Sequence, residues 1–82
     1  MSNWEEESGY LSKEFVFEDF RAAMAAMVEI SYIAEELQHH PTWTNTYNVL
    51  LIRLRTHDAD AITDLDHELA ERIDELLEDF DG

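Results

Sequence analysis

The stretch Trp43–Arg55, WTNTYNVLLIRLR, decides the architecture. In its second half Leu50, Ile52 and Leu54 project to one face, while Val49, Leu51, Arg53 and Arg55 project to the other. That alternation is the period-two signature of a strand. Trp43–Thr46 lies close enough upstream to pair with it as a hairpin turning near Tyr47-Asn48. Just before the hairpin stands Gln38-His39-His40-Pro41. Pro41 lacks an amide proton and its ring collides with the preceding turn, so a helix arriving from upstream must stop there.

That helix reads from an Asp19 cap to about Leu37. Phe20, Ala23, Met24, Met27, Ala34 and Leu37 are expected on its buried face, with Ser31 as a polar interruption and the methionines as core filler. Upstream again, Leu11, Phe15 and Phe17 share one side of Tyr10–Phe17, a second good strand. The glycine of Glu-Ser-Gly-Tyr marks a turn, which makes Trp4–Glu6 its hairpin partner. Downstream, Thr63 caps a last helix with a stripe of Leu65, Leu69, Ile73, Leu76 and Phe80. The order is strand, strand, helix, strand, strand, helix. Such an order makes an α+β domain, a four-stranded antiparallel sheet with its helices on one face. Residues 1–82 form one such domain.

Twenty acidic side chains against five basic ones give a net charge of −15. That field repels phosphate backbones and anionic lipid, which argues against direct nucleic-acid or membrane binding. It suits a well-solvated surface or an acidic face for a basic protein partner. A chain this short buries only about 60–65% of its extended surface, so packing or self-association must supplement its core. Without cysteine it has no disulfide and no thiolate zinc cluster, which fits the cytoplasm. The opening residues have neither a basic region nor an apolar run, unlike a signal peptide. Val49, Leu51, Arg53 and Arg55, on the strand face away from the helices, suggest a surface that another copy covers.

His39 and His40 lie past the end of the first helix, and His57 at the end of the long strand. If that helix crosses the sheet, all three open onto one cleft. Three readings stand: loop residues of no special role, a metal site, or an acid/base set. Three histidines with Asp58 or Asp60 could build a tetrahedral zinc site, but the spacing matches no zinc motif. As an acid/base set, imidazoles near pKa 6.5 can donate and accept protons at neutral pH, the minimum apparatus for eliminating water. With only Gly9 and Gly82 there is no glycine-rich phosphate loop. His67, among Glu68 and Glu71, reads as a solvated surface residue. Trp43 and Tyr47 are expected to pack in or beside the sheet, the alternative being a wall for a flat heterocycle.

The series Glu35, His39-His40-Pro41, Tyr47, Thr56-His57, Asp66 resembles the signature of the pterin-4a-carbinolamine dehydratases, also called dimerisation cofactors of a homeodomain transcription factor. FVFEDFRAAM and TYNVLLIRLRTH are similar to the same family, and the resemblance covers roughly Trp4 to Phe80. It implies dehydration of 4a-hydroxytetrahydropterin to quinonoid dihydropterin, which recycles the cofactor of aromatic amino-acid hydroxylases. His39, His40 and His57 would be the catalytic set, working without metal or organic cofactor. Glu35, Gln38, Trp43, Arg55, Thr56, Asp58 and Asp66 would line the pterin, with Asp66 also placed for helix capping. The resemblance further implies dimers, often paired into tetramers, and admits non-catalytic members that serve as coactivators or assembly helpers. Two departures stand out. Relatives usually carry an additional helix before the first tryptophan, which makes the dimer the expected assembly here, and Ala61 stands where they often have glycine.

Overall fold

A hairpin closed by two residues needs positive φ in its turn, and Ser8 and Gly9 adopt φ of 53° and 81°. In the computed structural model, which describes residues 3–78 and 80, that turn joins β1 (Glu5–Glu7) to β2 (Tyr10–Val16). There follow α1 (Phe20–Leu37), β3 (Thr42–Thr46), β4 (Val49–Leu54) and α2 (Asp64–Glu78). The strands form one antiparallel sheet in the order β1-β2-β4-β3. The expected fold class and element order are those observed, with strand ends displaced by about one residue.

Register explains which face is buried. Lys13 pairs with Ile52, Phe15 with Leu50 and Trp43 with Ile52. Leu11, Leu50, Ile52 and Leu54 therefore share one side of the sheet, where they meet Ile30 of α1 and Leu69 and Ile73 of α2. Trp43 packs against this cluster, as expected. On the opposite face the guanidinium groups of Arg53 and Arg55 lie 5.9 and 5.4 Å from the centre of the Tyr10 ring. At the β1–β2 edge, the Trp4 indole and the Lys13 ammonium both donate to Asp74, at 3.0 and 2.8 Å, and tie the sheet to α2. Across the helices Arg72 donates to Glu36. Among the described residues no helix is long and apolar enough to cross a membrane.

Asp19 caps α1 as expected, accepting from the Ala22 amide at 2.9 Å. Ala23 and Ala34 are buried and Met27 and Leu37 pack against the core as expected, but the fully buried face of that helix is centred elsewhere. It consists of Ala22, Ala23, Ala26, Ile30 and Ala34, while Phe20 and Met24 are exposed at 47% and 40%. Alanines let the helix axis approach its neighbours closely, and the larger side chains one step round the helix are then turned outwards. Phe20, Met24, Val28 and Tyr32 so form an exposed stripe. Tyr47 also departs from expectation: it does not pack on the sheet but stands 63% exposed in the β3–β4 turn, at φ 53°.

Candidate active site

The end of α1 aims the histidines. Gln38 adopts φ 52° and ψ 42°, the left-handed conformation that reverses a chain leaving a helix. Its amide donates to the Glu35 carbonyl at 3.2 Å, and the next amide, of His39, reaches back to Ala34 at 3.0 Å. The Gln38 side chain donates to the same Glu35 carbonyl at 2.7 Å. This reversal buries His39 and leaves His40 outside.

His39 Nε2 lies 2.5 Å from Asp66 Oδ1. Asp66 is fully buried at the start of α2, and its other oxygen accepts the Thr63 amide and the Thr56 hydroxyl, each at 2.8 Å. Burial pushes the Asp66 pKa up, but the hydrogen bonds from His39, Thr63 and Thr56, with the attraction of His39, outweigh it and hold the carboxyl below its ordinary range. An ionised carboxylate only accepts, so the proton order of the network is fixed. His39 Nε2 carries a proton, the Thr56 hydroxyl donates to Asp66, and Thr63 donates to Thr56 across 2.6 Å. Nδ1 is then the lone pair that neutral His39 has left.

The remaining predicted residues lie at the end of α1 and just after it, on β3, and in the loop after β4. His40 Nε2 is 2.5 Å from Glu35 Oε2, an exposed pair that links the last turn of α1 to the segment after it. Arg55 donates to the Asp60 carbonyl at 2.9 Å and to its carboxylate at 2.5 Å. With two backbone bonds between Thr56 and Ala61 at 3.0 and 3.3 Å, this holds the turn of residues 57–60. His57 and Asp58 are exposed on that turn, directly after the half-buried Thr56. The left-handed residue of the loop is Asp60, at φ 57°, so the glycine-free position Ala61 is not the one under backbone strain. His67 is exposed on α2. Among the described residues no group of three or more His, Cys, Asp or Glu could hold a metal ion.

Sequence reasoning treated Thr63 as a helix cap and missed its hydroxyl as part of this network. The signal was present in Thr63-x-x-Asp66, whose acid reaches back to the cap residue.

An antiparallel four-stranded sheet with two helices on one face, joined to a His-His-Pro turn and a buried aspartate, defines the class of protein. The family model described as pterin 4 alpha carbinolamine dehydratase matches residues 1–76, and the chain belongs to that family. A relative in Prochlorococcus marinus, named provisionally as a pterin-4-alpha-carbinolamine dehydratase, is 47% identical over 76 residues, 93% of this chain and 79% of its own length. One from Sulfurisphaera tokodaii, named in the same way, is 43% identical over 77 residues, 94% and 83% of the two chains. Among solved structures, a transcriptional coactivator/pterin dehydratase from Brucella melitensis superposes with a TM-score of 0.85 at 32% identity, over 89% of this chain and 80% of that one. A pterin dehydratase-like protein described as a RuBisCO assembly factor in the alpha-carboxysome shares the fold, with a TM-score of 0.77 at 22% identity over 92% and 89%.

Proposed function

We propose that the chain is a 4a-hydroxytetrahydropterin dehydratase that works by histidine acid/base catalysis. The elimination breaks the C4a–oxygen bond and the N5–hydrogen bond, forms the C4a–N5 double bond, and releases one water. It needs a proton delivered to the departing hydroxyl and one taken from N5. His39, His40 and His57 are the groups assigned to those transfers, and the observation that carries the reading is the buried network on His39. Asp66, itself held by Thr56 and Thr63, fixes which ring nitrogen bears the proton. Glu35 is the partner of the exposed His40. Gln38, Trp43, Arg55 and Asp58 are assigned to the rim of the pterin pocket.

In this reading the protein recycles tetrahydropterin for aromatic amino-acid hydroxylases in the cytoplasm, as a homodimer or homotetramer. The deciding experiment adds purified protein to freshly generated 4a-hydroxytetrahydropterin and follows its ultraviolet decay. A clear acceleration supports the dehydratase; a decay identical to buffer rejects it. The second reading is a non-catalytic interaction module, favoured by the shared fold of the RuBisCO assembly factor and by the exposed stripe Phe20, Met24, Val28 and Tyr32.

A further inference from the structure

An open groove of about 830 Å³ runs between α2 and the β1–β2 edge of the sheet, lined by none of His39, His40 and His57. Its apolar floor is Trp4, Leu11, Phe15, Ala70 and Leu77. Among the described residues its charged lining is Glu6, Glu71, Asp74, Glu75 and Glu78 against a single cation, Lys13. Lys13 is matched with Asp74 at 2.8 Å, so the exposed Glu6, Glu71, Glu75 and Glu78 keep the margin negative. From His67 to Glu78 the residues that α2 contributes recur every three or four positions, which is one helix face about 16 Å long.

We propose that this groove docks an amphipathic helix of a partner protein, with its apolar stripe on the floor and lysines or arginines along both margins. A three-turn face beside a strip of sheet is the shape that takes a helix through anchors at three- and four-residue spacing. The acidic margin selects the sign of the flanking charges and speeds encounter with a basic segment. A second copy of this chain is the poorer occupant, because it would bring another net charge of −15 against the same carboxylates. The groove lies outside the proposed dehydratase machinery, so this inference does not rest on that activity.

Two synthetic peptides of about 14 residues, long enough to span the groove, test it. They share one leucine stripe and differ only in carrying lysine/arginine or glutamate margins. Titration calorimetry and amide NMR shifts on the folded chain are the readouts. The basic peptide is expected to bind, with shifts on β1, β2 and α2, and to bind more weakly as salt rises. Glu71→Lys combined with Glu75→Lys, both at exposed positions, is expected to weaken it about ten-fold while the amide spectrum stays that of the folded protein. Three outcomes overturn the proposal: equal binding of both peptides, no binding of either, or shifts confined to other surfaces. Groove signals that change with the protein's own concentration, with no peptide present, would assign the groove to a second copy and overturn it as well.

Discussion

His39 and Asp66, 27 residues apart in sequence, meet at 2.5 Å in the protein interior. One comes from the chain reversal after α1, the other from the first turn of α2, and the same carboxylate caps its own helix through the Thr63 amide. A single buried acid thus fastens a helix start, a strand end and a histidine ring.

Asp66→Asn is therefore expected to cost about 2–4 kcal/mol, because an amide has one accepting oxygen where the carboxylate serves three donors. Urea unfolding at pH 7 measures it. The folded pKa of Asp66 lies below the ordinary 3.8, so its contribution is present above that value and lost as pH falls through the lower, folded one. In the wild-type protein stability should drop in that acid window. The variant should lack this part of the drop.

For catalysis, His40→Ala or His57→Ala is expected to slow dehydration about 10²-fold or more, and His67→Ala to leave it nearly unchanged. Initial rates on freshly generated substrate make the comparison. Small, equal effects at all three positions would favour the interaction module.

Chelation should leave the dehydration rate unaltered, since the proposed scheme moves protons only between imidazoles and substrate. Rates before and after dialysis against a strong chelator decide it. Activity that vanished and returned with zinc would refute the acid/base scheme.

Packing on α1 gives a test of its phase. Ala26 is fully buried and Met24 is 40% exposed. Ala26→Leu should destabilise by about 1–3 kcal/mol through overpacking, whereas Met24→Ala should cost within about 1 kcal/mol. Urea midpoints for the two variants should differ accordingly; the reverse order would restore the stripe expected from the sequence.

Self-association through the outer sheet face is expected to tighten with ionic strength, as salt screens repulsion between chains of charge −15. Val16, 66% exposed and paired with Val49, belongs to that face. Sedimentation at two salt concentrations reads the outcome. A compact monomer at both, well above micromolar protein, would remove this surface from the assembly.

Period and turn chemistry made most of the fold legible in the sequence. Leu50, Ile52 and Leu54 announce a half-buried strand, and Asp19 and Pro41 bracket α1 without ambiguity. What misled was size: Phe20 and Met24 look like core because they are large, yet close helix packing favours the alanines beside them. Tyr47 misled for a related reason, since its place in the turn was decided by backbone reversal and not by hydrophobicity. At the site, the histidines could be named but not their state. The proton order on His39 depends on Asp66, and only folding brings the two together.

The sheet order β1-β2-β4-β3 has a consequence for how the molecule comes into being. Each half of the chain is a hairpin followed by a helix, and within the sheet the halves join along the β2–β4 seam. Neither half encloses Ile30, Leu69 and Ile73 by itself, so each must wait for the other before its apolar surface leaves water. His39 belongs to the first half and Thr56, Thr63 and Asp66 to the second. The buried network on Asp66 would then form last, at docking, and a chain caught halfway would hold all its histidines without it.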